Sequence, residues 1–218
     1  MTNSGIIQKT QAMIKERFGT ESSGHDYWHM YRTWRLAKHI AAQEPEADMF
    51  IVELAAWLHD IADWKFHDGD EEAGPKAARE WLESLHIEEA IITHIEDIIR
   101  NVSFRGAHVE SELTTIEGKI VHDADKLDAI GAIGIGRTFA YSGAHGRPMY
   151  DPERTDELHT SFEAYKNSKS PAINHFYEKL LLLKDRMFTK TGKQLAGHRH
   201  KIMEQFLQEF LGEWEGKR

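Results

Sequence analysis

Residues 55–66 read AAWLHDIADWKF and set a histidine and an aspartate, His59 and Asp60, side by side inside a run of apolar residues. Around them Phe50, Leu54, Trp57, Leu58 and Ile61 recur at intervals of three and four, the spacing of a helix that buries one face. The spacing predicts a helix over about 47–62 with two polar, metal-loving groups set into it. Burying such groups costs free energy unless something pairs with them, so their partners must come from elsewhere in the chain.

The same periodicity extends outward, in Ile6, Ile7, Met13, Ile14 and Phe18 on one side and in Ile91, Ile92, Ile95, Ile98 and Ile99 on the other. Sustained strand alternation is missing. Helices are expected near 6–18, 26–43, 47–62, 72–85, 88–100, 113–140, 156–167, 172–189 and 193–213, and the fold class is all-α. Glycines, prolines and short polar clusters fall where these helices must stop. Asp68-Gly69-Asp70 reads as a polar loop at the mouth of whatever the 47–62 helix carries. The stretch SGAHGRPMYDPER, residues 142–154, is the longest irregular piece and is placed to act as a lid.

A chain of 218 residues suits one substantial domain, and no linker divides it. The single domain is expected over 1–218, with a motif-bearing core over about 22–190 and a C-terminal helix over about 193–213. No apolar run, that of Leu180–Leu183 included, approaches the roughly 20 residues of a membrane span. The first fifteen residues lack the pattern of a secretory signal, so a cytoplasmic location is the default. A net charge of −9 argues against a nucleic-acid polymer as partner, because such binding draws on basic groups that neutralise phosphates. Cysteine is absent, which removes disulfides, thiol nucleophiles and thiolate ligands. Any metal must be held by carboxylates and by some of the fourteen histidines.

Two further segments break an apolar helix with polar groups. SGHDYWHMYRTWRLA, residues 23–37, supplies His25, Asp26, His29 and Arg32, and KIVHDADKLDAIGAIGIGRTF, residues 119–139, supplies His122, Asp123, Asp125 and Asp128. Buried carboxylates need a partner or a cation, and three polar insertions in three apolar helices suggest one shared site. Asp63 lies four residues past His59 and three past Asp60, hence on the same side of the helix and able to touch a bound water; the alternative is an ordinary helix-end charge.

With the pattern H…HD…D in view, in His29, His59-Asp60 and Asp125, the sequence resembles the HD-domain metal-dependent phosphohydrolases, which carry it on a helical bundle. HDYWHMYR, WLHDIAD, DADKLDAIGAIGIGRTF and NHFYEKLLLLKDRM further resemble a bacterial subgroup called YpgQ-like or YedJ-like, over about Ser22 to Trp214. The resemblance implies that His29, His59, Asp60 and Asp125 hold one divalent transition metal. Mn²⁺ is the first choice, with Co²⁺, Ni²⁺, Fe²⁺ or Mg²⁺ also compatible with two imidazoles and two carboxylates. It implies too that Asp63 orients or deprotonates the attacking water and that Asp68 assists. The expected activity is hydrolysis of a small nucleotide, a nucleoside triphosphate giving monophosphate and pyrophosphate. A nucleotide phosphomonoesterase and a non-catalytic nucleotide or metal sensor are the alternatives, and a homodimer is left open.

Other groups are placed around this centre. His25, Asp26 and His122 are candidates to orient the ligands from behind, with capping of the helix by Asp26 an equal alternative. His94, on the side of Ile91 and Ile98, is expected to point into the core and support the site from there. Lys126, Arg105, Arg147, Lys179 and Lys184 form the shortlist of cations for phosphate. Gly131, Gly134 and Gly136 are expected to continue a helix and let it pack closely, since a nucleotide-binding glycine loop follows a strand. Trp28, Trp34, Trp57, Trp64 and Trp81 are expected to serve packing rather than base stacking.

Overall fold

The structure is a computed structural model that describes residues 1–19, 26–62, 70, 72–102, 113–153 and 170–217. The described residues hold α-helices α1 (Asn3–Phe18), α2 (Tyr27–Ala41), α3 (Met49–Leu58), α4 (Ala73–Ser84), α5 (Glu89–Val102), α6 (Ile116–Asp128), α7 (Gly131–Ala144), α8 (Ala172–Glu178) and α9 (Lys190–Trp214), with a 3₁₀ turn over Leu180–Arg186 between the last two. No strand occurs among them, and the all-α fold class stands. The helix expected over 156–167 lies outside the described residues.

The chain gathers into two compact units. The first takes residues 1–104 and 110–125, the second residues 105–109 and 126–218, so the division falls inside α6 between Asp125 and Lys126. In the first unit α2 packs on α3 and α4 on α5, with α1 and α5 against α3. Fully buried Ile14, Met30, Ile40, Leu54, Trp57, Leu58, Leu82, Ile95, Ile98 and Ile120 fill the space between them. Side chains cap these helices at their exposed N–H groups: Asp48 Oδ1 accepts the Phe50 N–H at 2.8 Å, and Asp26 Oδ1 accepts that of His29 at 2.7 Å.

In the second unit α9 packs on α7 and on the 3₁₀ turn, with α8 beside them. Phe139, Phe176, Phe206 and Phe210 form a connected aromatic cluster with ring centroids 5.7–6.3 Å apart. Fully buried Leu127, Phe176, Leu183, Ala196 and Met203 complete the core. Thr189 Oγ1 caps α9 by accepting the Gly192 N–H at 2.9 Å.

Two expected helices are shorter than their apolar spacing suggests. The 113–140 helix is broken after Asp128, where Ala129 N–H and Ile130 N–H turn to the carbonyls three residues back, of Lys126 and Leu127. Gly131 then takes φ +76°, a conformation that L side chains rarely adopt. The carbonyls left over at the end of α6 are claimed by two guanidinium groups: Arg199 donates to Leu127 O, and Arg137 to Asp128 O at 3.4 Å. The 47–62 helix stops at Leu58, with His59 as its C-cap and Ile61 N–H bonded to Leu58 O, a tightened last turn.

Candidate metal centre

The end of α3 decides how His59 is presented. Its Nδ1 lies 2.9 Å from the Ala56 carbonyl oxygen. A carbonyl only accepts, so Nδ1 carries the proton, and Nε2 keeps its lone pair directed away from the helix end. His29, in the first turn of α2, is set by the Asp26 cap that holds its backbone N–H. The two imidazoles meet Nε2 to Nε2 at 3.2 Å.

Both carboxylates join them. Asp60 Oδ2 is 3.3 Å from His29 Nε2 and 3.5 Å from His59 Nε2, and Asp125 Oδ1, from α6, is 3.5 and 3.8 Å from the same two atoms. Ligands on an ion at about 2.0–2.3 Å stand about 2.8–3.3 Å apart when cis on an octahedron and about 3.3–3.8 Å apart on a tetrahedron. The observed spacings fall in those ranges. His29, His59 and Asp125 satisfy the mutual distances of a metal-holding set, and Asp60 touches both imidazoles. The donor atoms suit a divalent cation: imidazole nitrogens of His29 and His59 and an oxygen of Asp125 close on one another, and Asp60 Oδ2 stands beside both imidazoles.

Exposure grades across the cluster. The His29 and His59 side chains are 1% exposed, those of Asp60 and Asp125 12% and 22%. The nitrogen side is sealed by packing and the carboxylate side meets solvent, so access for water or a phosphate oxygen lies on the carboxylate side.

The remaining polar groups of α6 go elsewhere. Fully buried Asp123 lies 3.2 Å from the Nδ1 of its neighbour His122. Asp128, also buried, receives Arg137 at 2.6 Å. Of this helix's four chemistry-bearing residues, Asp125 is the one the geometry brings to the two imidazoles. His94 corrects an expectation: it is half-buried, bonded to Thr115 Oγ1 at 3.1 Å with Glu117 Oε2 at 3.6 Å. Glu117 stands eight residues before Asp125 on the same helix, about 12 Å of helical rise, so His94 fastens α5 to the start of α6 and does not support the metal cluster. Glu117 also accepts the Asp48 N–H at 2.9 Å, which ties in the start of α3.

His25, Asp63, Asp68, Arg105 and Trp64 lie outside the described residues. Because α3 ends at Leu58, helical register no longer carries Asp63 to the side of His59. Of the shortlisted cations, Lys126 is buried in α6. Arg147 lies over the Tyr141 ring at 5.5 Å, and Lys184 Nζ is 3.4 Å from His200 Nε2. Burial pushes the His175 imidazole down to about 3, and the positive charges of Lys179 and Arg147 add to the effect, which groups those three in the second unit.

The glycines and tryptophans divide on inspection. Gly131 opens a new helix instead of continuing one, and an added Cβ would meet Arg199 at 2.9 Å; at Gly134 it would meet the Ala129 carbonyl oxygen at 2.2 Å. Gly136 has nothing within 4 Å and serves no packing. Trp57 is fully buried, Trp34 donates to Glu53 at 2.7 Å and Trp81 to Thr10 at 3.0 Å, all packing roles. Trp28 departs from that expectation, being 56% exposed.

The sequence and the fold have relatives among known proteins. A family model for the HD domain matches residues 27–130, a span that contains all four cluster residues. Over 203 residues the chain is 39% identical to YpgQ of Bacillus subtilis (strain 168), covering 93% of this chain and 90% of that one. The chain belongs to the HD-domain family. Among solved HD structures, a HD-superfamily hydrolase from Bacillus thuringiensis is similar at 45% identity, with a TM-score of 0.76 over 98% of this chain and 99% of that one. The B. subtilis YpgQ structure in complex with ADP is similar at 34% identity and a TM-score of 0.76, over 97% of this chain and 100% of that one. The HD chain therefore falls in the YpgQ-like subgroup of metal-dependent phosphohydrolases. The Ala56 carbonyl, which sets the tautomer of the HD histidine, leaves no signal in a sequence, since any residue type supplies one.

Proposed function

We propose that this HD hydrolase acts on a small nucleotide, cleaving a nucleoside triphosphate to monophosphate and pyrophosphate. The observation that carries the reading is the four-residue cluster, sealed on its imidazole side and open on its carboxylate side. The ADP bound to the similar B. subtilis YpgQ supports a nucleotide as ligand class.

His29, His59, Asp60 and Asp125 would hold one divalent cation, Mn²⁺ by preference. A bound cation of this kind supplies Lewis-acid polarisation of a phosphoryl oxygen and lowers the pKa of water. The Ala56 carbonyl keeps the His59 Nε2 lone pair available for it, and the Asp26 cap fixes the turn that presents His29. We assign Asp63 the proton of the attacking water, with Asp68 assisting. Water adds to the α-phosphorus, the bond from that phosphorus to the bridging oxygen breaks, and pyrophosphate leaves with the bridging oxygen. Lys126, Arg105, Arg147, Lys179 and Lys184 are the cations proposed to offset phosphate charge. We also propose a cytoplasmic location; no helix among the described residues is long and apolar enough to cross a membrane.

The test is a panel of nucleoside tri-, di- and monophosphates with Mn²⁺, Co²⁺, Ni²⁺ and Mg²⁺, resolving pyrophosphate from phosphate. Pyrophosphate released from triphosphates is expected. Phosphate from monophosphates would make the protein a phosphomonoesterase, and binding without turnover would make it a sensor.

A further inference from the structure

Trp28 stands next to a cluster residue in the chain and yet lies 56% exposed, while Trp57 is buried and Trp34 and Trp81 are hydrogen-bonded into packing. One exposed aromatic ring is common on protein surfaces and needs no function by itself. The position of this one is what matters. Trp28 precedes His29 on α2, about 3.8 Å away along the chain and about 100° around the helix axis. Its indole is fixed rather than loose. Tyr27 and Tyr31 pack against it with centroids at 5.0 and 5.8 Å and interplanar angles of 71° and 82°, so neither tyrosine lies flat on the indole. Tyr27 is in turn stacked on buried Trp57 at 5.8 Å, which anchors this aromatic group to the core of the first unit.

The helix adds a charged group to the same stripe. Arg32 follows Trp28 by four residues and His29 by three, so its Cβ stands about 5–6 Å from each of theirs across one turn, with Trp28 exposed and His29 buried. That is the scale of a nucleoside. A π-face, a guanidinium and a cluster suited to a cation are the three features that an aromatic base carrying phosphates requires.

We propose that Trp28 is the base-stacking platform of the nucleotide site. The proposal rests on the nucleotide reading above and gives it a residue. Stacking on a π-face tolerates every base, so it recognises a nucleotide as a class and favours purines over pyrimidines through their larger ring area. It predicts that a base-bearing ligand and a base-free one respond differently to change at this position.

The test compares ADP with inorganic pyrophosphate by calorimetry in the presence of Mn²⁺, using wild type, Trp28→Phe and Trp28→Leu, with nucleoside triphosphate turnover measured in parallel. Leucine keeps apolar bulk at the position and removes the π-face; phenylalanine keeps both. Trp28→Leu should weaken ADP about 5- to 150-fold, the equivalent of about 1–3 kcal/mol for a base stacked on an aromatic ring. Pyrophosphate affinity and metal content should stay at wild-type values, and Trp28→Phe should hold ADP within about threefold. Unchanged ADP affinity in Trp28→Leu, equal losses for ADP and pyrophosphate, or no ADP binding by the wild type would each overturn the platform. ADP binding that depends on Trp28 in a protein without turnover would leave it standing and defeat the hydrolytic reading instead.

Discussion

At Asp63 the replacement of one oxygen by nitrogen separates proton transfer from mere presence. Asp63→Asn should retain metal content and ADP affinity while turnover falls about 10²–10⁴-fold, the range for a lost general acid or base. Single-turnover rates measure it: a wild-type rate would return Asp63 to an ordinary surface charge, and loss of metal would make it a ligand. His175 carries a second consequence, in acid. Its folded value of about 3 lies below the ordinary 6.5, so the native imidazole refuses a proton that the unfolded chain accepts. The stability that follows is complete above about pH 6.5 and is lost progressively as pH falls toward 3. His175→Gln should therefore lose less stability than wild type between pH 7 and pH 5, read from denaturant midpoints at the two values; equal losses would contradict an imidazole held neutral in the fold. At this scale the cluster was legible because His29, His59, Asp60 and Asp125 are polar residues in apolar settings. What a sequence does not disclose is which of several buried carboxylates takes which partner. Asp123 goes to its neighbour His122 and Asp128 to Arg137 nine residues on, and their surroundings in sequence differ little from those of Asp125.

Among the elements, the break between α6 and α7 shows how apolar spacing misleads. Leu127, Ile130 and Gly134 keep a helical interval straight through Ala129, yet the backbone turns there, because Gly131 can adopt φ +76° and Arg137 and Arg199 satisfy the carbonyls that the turn releases. The end of α3 was hidden for a similar reason. Ile61 is buried and in phase with Leu58, although it sits in a turn beyond the helix. Gly134 and Gly136 of α7 offer a paired test. In Gly134→Ala the new methyl would sit 2.2 Å from the Ala129 carbonyl oxygen, a backbone atom that cannot swing aside as a side chain can. A loss of about 1–3 kcal/mol is expected, as for other overpacked sites. Gly136→Ala meets nothing and should gain up to about 1 kcal/mol from helix propensity. Thermal melts that moved the two variants in the same direction would show that the turn is not built as described.

For the whole molecule, we propose that the 218 residues fold as one domain although the chain gathers into two compact units. It predicts a single cooperative unfolding transition by fluorescence and by circular dichroism, coincident in midpoint; two separated transitions would make each unit its own folding domain. A cation held by the native cluster and not by the unfolded chain stabilises by about 2.7 kcal/mol at a hundredfold excess over its Kd. For a chain of this length that raises Tm by about 5–10 °C, and a chelator should reverse the gain. The central claim is that four side chains, from two helices and the turn that ends α3, meet on a single ion, and anomalous diffraction from crystals grown with Mn²⁺ addresses it directly. One manganese peak is predicted within about 2.0–2.3 Å of His29 Nε2, His59 Nε2, an Asp60 oxygen and an Asp125 oxygen. A peak elsewhere, or one that leaves any of the four outside that distance, would contradict the account.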